Sequence, residues 1–206
     1  MLATPPPAVH LTVRGHFMKH LLLPAVVSFC LSGLQTCRAD DAPPKVPIKE
    51  ASWKQLQEFV KQQKPDKIVV VDLWSTACLP CLKEFPGLVK LKAEYGEKVV
   101  CVSYNLDYAG IRKKPPAYYQ PVVQKFLAKK VADGKLKPNA LTNFMCTQET
   151  TEVLDTLEIG AMPAVLVYRN GKLIQRFDDT KFRPSRGEHF SYEKNIQPYV
   201  HGLLQK

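Results

Sequence analysis

The chain has 206 residues, 45 % hydrophobic and 23 % charged, with a formal net charge of +10 at pH 7. That length supports one well-cored domain, and that balance excludes a chain disordered throughout. Because the lysines are scattered rather than striped, the positive charge reads as a solvated surface and not as a nucleic-acid groove.

Residues 1–39 hold Arg14, Lys19 and Arg38 but no acid, and residues 21–34 (LLLPAVVSFCLSGL) form an apolar stretch directly after MKH. A charged segment followed by an apolar one is the pattern of an export signal. The stretch, broken by Pro24 and Ser28, is shorter than the about 20 residues needed to cross a hydrocarbon core of ~30 Å, so a signal peptide is expected rather than an anchor. Met18 is an alternative start, and cleavage after Ala39 fits the small-residue rule. LQTC at 34–37 faintly resembles a lipobox, with Thr36 where a smaller residue is usual, so a lipid anchor on Cys37 is the alternative, and the only expected route to a membrane. Cleavage removes Cys30 and Cys37, lowers the net charge from +10 by three to +7, and leaves Cys78, Cys81, Cys101 and Cys146. An exported chain enters a compartment where disulfides persist.

Residues 40–50 (DDAPPKVPIKE) are rich in proline and charge and read as a linker, with the folded domain spanning 51–206. Ser52 is the expected N-cap of a helix carrying Trp53, Leu56, Phe59 and Val60 on one face. KIVVVDLW at 67–74 is nearly all apolar and β-branched, as in a strand buried on both faces. Helical periodicity over 80–95 and a second strand at 98–104 (KVVCVSY) complete a β-α-β unit, which favours a parallel pair. Residues 108–121 are rich in Pro and Tyr and read as an insertion; VVQKFLAKKVADGK then reads as a surface helix closed by Gly134. A short apolar run (ALTNFMC) and an acid-rich helix near 149–157 follow. AVLVY and KLIQRF flank Arg169-Asn170-Gly171, and Asn-Gly between such runs signals a hairpin. A polar loop and a helix over 192–204 end the chain, with neither an internal repeat nor a second domain.

Four readings compete for Cys78-Leu79-Pro80-Cys81. Zinc needs four ligands, and the chain offers no second CxxC or CxxH. A structural disulfide gains most by closing long loops, and this loop is very short. Inert buried thiols suit Cys101, amid the valines of a strand, better than a pair at a strand-to-helix junction. Redox chemistry fits the placement: a thiol facing the free N–H groups at a helix N-terminus is held as thiolate, its pKa lowered from ~8.5 to about 3.5–7.5. Cys78 would then attack a partner disulfide, and Cys81, one turn later and more buried, would resolve the mixed disulfide. Pro80 is tolerated in a first helical turn, where N–H groups lack intrahelical partners. Asp72 lies inside an apolar strand, where a charged carboxyl is costly; its pKa should rise, making it a proton carrier for Cys81.

VVVDLWSTACLPCLKEFP resembles the active-site stretch of the thioredoxin superfamily, and Cys78, Cys81, Glu84 and Pro86 in a CxxCxxExP pattern resemble the exported TlpA-like thiol-disulfide oxidoreductases. IGAMPAVLVYRNGKLI at 159–174 is similar to the segment carrying that superfamily's cis-proline. The resemblance covers about residues 52–204. It implies an α/β thioredoxin-like fold, a central mixed β-sheet flanked by helices. It also implies Cys78 as nucleophile, Cys81 as resolving thiol and the two as a redox disulfide, with Met162 and cis-Pro163 beside a substrate groove and Asp72 as the buried acid. No cofactor or metal is called for. The partners implied are proteins bearing thiols or disulfides and an electron donor that re-reduces the pair, acting in the periplasm or another extracytoplasmic space. Glu84 is expected to be a solvated helix charge and Pro86 to kink its helix. Two positions depart from the pattern: Ala77 replaces the aromatic residue usual before the first cysteine, and Ser103 stands where a lysine often sits near the buried acid. Tyr118, Tyr119 and Phe190 are candidates for shaping a partner groove. The rival expectation is a binding module or metallochaperone on the same fold without redox turnover; a peroxidase fits less well, since Ser75 occupies the position three before Cys78.

Overall fold

The computed structural model describes residues 44–178, 182 and 189–205. The expected signal segment, Cys30, Cys37 and most of the loop at 182–190 lie outside the described residues. Six strands, β1 (Ile48–Ala51), β2 (Ile68–Trp74), β3 (Val99–Asn105), β4 (Thr142–Cys146), β5 (Ala164–Arg169) and β6 (Lys172–Phe177), form one sheet in the order β1-β4-β3-β2-β5-β6. The first four in that order run parallel, while β5 and β6 are antiparallel to their neighbours. Among the described residues, five α-helices accompany it: α1 (Trp53–Lys61), α2 (Leu79–Tyr95), α3 (Pro116–Asp133), α4 (Thr150–Thr156) and α5 (Gln197–Leu204). This is the expected mixed sheet of a thioredoxin-like fold.

β2 lies in the interior of the sheet, parallel to β3 and antiparallel to β5, and all seven of its residues are buried. Side chains alternate across a strand, so each face of β2 meets a different layer. Val69, Val71 and Leu73 pack with Leu56 and Val60 of α1 and Val153 of α4. Ile68, Val70 and Trp74 pack with Cys81, Phe85 and Leu88 of α2, Val123 and Leu127 of α3, and Val200 of α5. The same alternation turns Asp72 toward the α2 side. There Trp74, Phe85 and Phe126 stack within 4.7–5.0 Å of one another.

Local signals account for most element ends. Ser52 and Gln55 form a reciprocal capping box at the start of α1, each side chain accepting from the other's backbone N–H. Asn170 and Gly171 adopt φ of 52° and 68° between the paired Arg169 and Lys172, the two left-handed residues that a tight hairpin turn requires.

Three expectations need correction. Residues 40–50 do not stay a linker throughout: Val46 is buried, and Ile48–Ala51 adds a parallel edge strand to β4. Proline and charge in that stretch masked a short run that the β4 edge could pair. The insertion expected at 108–121 ends earlier, because α3 already begins at Pro116; a proline in the first turn loses no intrahelical bond and arrives with a helical φ. The final helix opens with a π-helical turn, Tyr192–Ile196, before α5.

Phe85 is fully buried between Trp74 and Phe126. Phe85→Ala is expected to cost about 3–5 kcal/mol of stability through the cavity it leaves. Urea unfolding checks this; an unchanged midpoint would show that the aromatic cluster does not hold α2 on the sheet.

Candidate active site

Where β2 ends, residues 75–77 turn into α2, whose N-cap is Cys78. Several bonds fix this turn. The Cys78 amide donates to the Ser75 carbonyl at 3.1 Å, and the Ala77 amide to Ser75 Oγ at 3.1 Å. Thr76 donates from its amide and from its hydroxyl to the two carboxylate oxygens of Asp107, each at 2.7 Å. The Asp107 amide donates in turn to Asn105 Oδ1 at 3.2 Å. Asp107 was missed in the sequence; the available signal was its place just after β3, since neighbouring parallel strands end side by side and their following loops meet.

Cys78 and Cys81 form a disulfide, with an S–S distance of 2.01 Å and Cα atoms 5.3 Å apart. Cys78 is half-buried and Cys81 is 1 % exposed. The Cys81 amide donates to Cys78 Sγ at 3.2 Å, so a helix N-terminal N–H already points at the sulfur that would carry thiolate charge. The Met162–Pro163 peptide is cis. Met162 and Pro163, together with Leu79, Pro80 and Phe190 and with polar Lys83, Glu84 and His189, line an open groove of about 380 Å³. Leu79, between the cysteines, is 77 % exposed. Phe190 is buried against Phe177, while Tyr118 and Tyr119 stand on α3 and do not line this groove.

Asp72 is buried beneath this surface, and Tyr192 Oη donates to its Oδ2 at 2.8 Å. Burial pushes the Asp72 carboxyl up to about 7; the Tyr192 hydrogen bond pulls the other way, and the charge of Glu84 adds a smaller upward push. Glu84 is not a solvated helix charge as expected. It is half-buried and accepts from the Tyr192 amide at 3.1 Å, because Tyr192 packs onto its ridge of α2. Tyr192 is a second residue the sequence reading missed, and nothing short of the fold joins it to Asp72. Ser103, beside Asp72 in register, accepts from Trp74 Nε1 at 2.8 Å, so a neutral hydroxyl committed to the indole replaces the lysine of the resemblance.

The other two cysteines are buried. Burial pushes the Cys101 thiol up to about 12, with Lys92 lowering and Asp72 raising it by smaller amounts. Burial likewise raises Cys146, whose sulfur accepts from Tyr104 Oη at 3.0 Å and from the Gln148 amide at 3.3 Å. Among the described residues, no group of three or more His, Cys, Asp or Glu side chains is placed to hold a metal, and no helix is long and apolar enough to cross a membrane.

A mixed sheet with this strand order, a CxxC disulfide at the N-terminus of the helix after β2, and a cis-proline beside the adjoining groove define a thioredoxin-like fold. No family model matches the chain. It is similar to the thioredoxin-like protein YneN of Bacillus subtilis (strain 168), at 38 % identity over 48 residues, a match that spans 23 % of this chain and 28 % of that relative. Among solved structures it is similar to a thiol:disulfide interchange protein from Bacteroides sp., at 18 % identity and TM-score 0.45, covering 80 % of this chain and 91 % of the other. It is also similar to StoA from Bacillus subtilis, at 15 % identity and TM-score 0.42, covering 66 % and 84 %.

Two outcomes follow from burial. After reduction of the disulfide, an alkylating agent near neutral pH should modify Cys78 first and reach Cys101 and Cys146 only on unfolding; peptide mapping that finds Cys81 labelled ahead of Cys78 overturns the ordering. Asp72 bears on stability because its folded pKa, about 7, is raised above the ordinary 3.8. The native state therefore holds a proton that the unfolded chain releases, and this contribution, full below the ordinary value, is lost as pH rises through about 7. Asp72→Asn, neutral throughout, should gain stability relative to wild type between pH 4 and pH 8, and thermal unfolding at both pH values shows whether it does.

Proposed function

We propose that this protein is a thiol-disulfide oxidoreductase that reduces disulfides of protein partners outside the cytoplasm. The observation that carries the reading is the Cys78–Cys81 disulfide at the N-terminus of α2, with Leu79 and Pro80 between the two sulfurs lining a groove opposite cis-Pro163 and with Asp72 buried on the α2 side of the sheet. In the reduced protein Cys78 thiolate attacks a sulfur of the partner's disulfide; a Cys78–partner bond forms and the other partner sulfur leaves as thiolate. Cys81 then gives its proton to the Asp72 carboxylate and attacks Cys78 Sγ. The Cys78–Cys81 bond forms, the mixed disulfide breaks, and the second partner sulfur leaves as thiolate and takes its proton from water. The partner gains two electrons and the pair is oxidised. The acceptor for Cys81 serves the exchange in both directions, and the reduction potential of the pair sets the net direction, with an electron donor regenerating the dithiol.

The charged-then-apolar pattern of residues 1–39 supports export, with a lipid anchor on Cys37 as the alternative form of it. Leu79, exposed between the cysteines, and a groove that joins apolar Met162, Pro163 and Phe190 to polar Lys83, Glu84 and His189 support a protein chain as substrate.

The test is trapping. Cys81→Ala should accumulate mixed disulfides with partner proteins, since nothing resolves them, while Cys78→Ala should capture none. Equal capture by both variants removes the two-step mechanism and leaves the rival, a binding module without redox turnover. A reduction potential near the about −270 mV of reducing thioredoxins supports the direction, whereas one near the about −120 mV of strong oxidants reverses it.

A further inference from the structure

Resting on the reading of Asp72 as the proton acceptor of Cys81, we infer that Tyr192 is a positioning residue for that reaction: its hydroxyl, supplied by the C-terminal segment, sets when the Asp72 carboxyl takes and returns the proton. Three contacts hold Tyr192 in place. Its hydroxyl donates to Asp72 Oδ2 at 2.8 Å, its amide donates to Glu84 Oε2 at 3.1 Å, and its ring lies over Gly87, where a Cβ would fall 2.1 Å from Tyr192 Cβ. The turn that carries it is itself built: the Ser191 side chain accepts from the Lys194 amide, and the Ser191 amide donates to Asn195 Oδ1 at 2.9 Å. Tyr192 is 1 % exposed. A phenylalanine would fill the same space without bringing a hydroxyl that must find a partner there.

That hydroxyl meets a carboxyl with few other donors. Ser103, the polar neighbour of Asp72 in register on β3, accepts from Trp74 Nε1 and makes no bond to Asp72 among the described residues, and Val165, its partner on β5, is apolar. Glu84 faces Asp72 from α2 and Cys101 from β3, with Lys92 of α2 acting on Cys101. Glu84 opposes ionisation of Asp72, while Cys101, pushed up to about 12 by burial, is neutral where Asp72 titrates. Among the described residues, Tyr192 is the side chain that donates to it. A hydrogen bond from Tyr192 favours the carboxylate, the form that can accept from Cys81.

Tyr192→Phe removes this donor and little else. The rate of mixed-disulfide resolution, followed against pH, should keep its sigmoidal rise with a midpoint higher by about one pH unit, the size expected for losing one hydrogen bond to a charged group. Resolution at pH 7 should slow several-fold, with the first attack by Cys78 unchanged. Gly87→Ala keeps the tyrosine but crowds its Cβ and so shifts its hydroxyl from Asp72, and should move the midpoint the same way. Titration of the Asp72 carboxyl by carbon-13 NMR in each folded variant gives the same shift without any turnover. A lowered unfolding temperature with an unmoved midpoint and an unmoved carboxyl titration would reduce Tyr192 to a structural role and overturn the inference. Asp72→Asn separates the two levels. If it abolishes the pH-dependent rise while Tyr192→Phe leaves the midpoint in place, only the Tyr192 role falls; if it leaves the rise intact, Asp72 is not the acceptor and both fall.

Discussion

β2 carries Asp72 at the fifth of seven residues, in a strand buried on both faces, so its carboxyl meets the α2 side of the sheet without solvent. An ionised carboxylate there is costly, and two ways of meeting that cost are visible together: a raised pKa, near 7, and one hydrogen bond from Tyr192. Either alone would give a different group. Burial without the bond moves the change of charge above neutral pH, and strong donors without burial leave an ordinary carboxylate. The combination places the change of charge near neutral pH, where a base for a thiol proton is most effective.

The surface above is arranged on the opposite principle, with a sulfur presented rather than hidden. Cys78 is the N-cap of α2 and receives the Cys81 amide, while the turn before it is held by the two bonds from Thr76 to Asp107. Cys78 therefore sits on a helix end whose approach is braced, and Cys81 is sunk into the core cluster with Phe85 and Tyr192. This asymmetry between two residues three positions apart is what the proposed division of roles rests on: the half-buried sulfur is the one a partner can reach, and the buried one is not.

Much of this was readable in the chain because it depends on neighbours in sequence. The β-branched run of β2, the Ser52–Gln55 box, the Asn170-Gly171 turn and the CxxC at a strand-to-helix junction each carry a local physical signature, and the β-α-β order fixes a parallel β2–β3 pair. The pairing of β1 with β4 left no such signature, since an edge strand of four residues with exposed Lys49 and Glu50 has no apolar pattern of its own. Asp107 and Tyr192 were invisible for a related reason. Their partners, Thr76 and Asp72, lie 31 and 120 residues away, and the bonds exist only once the sheet order is set. Glu84 was misjudged because a charge on a helix is usually solvated, and only the seating of Tyr192 turns it inward.

That seating explains a feature of α2 that catalysis alone does not. After Cys81 come Glu84 and Gly87, each three residues on, and positions so spaced form one ridge of a helix. Along it the helix offers first the resolving sulfur, then an acceptor for the Tyr192 amide, then a gap without a Cβ into which Tyr192 fits. Pro86, inside the helix, removes one amide donor and sits beside that gap. A helix optimised for its own stability would carry neither Pro86 nor Gly87 at adjacent interior positions. The cost is offset by docking, since the ridge binds the C-terminal segment and the segment returns a hydroxyl to Asp72. The last stretch of the chain is thus joined to the same helix and the same carboxyl as the cysteine pair, and anything that lifts Tyr192 from the ridge removes the donor from Asp72 without touching either sulfur.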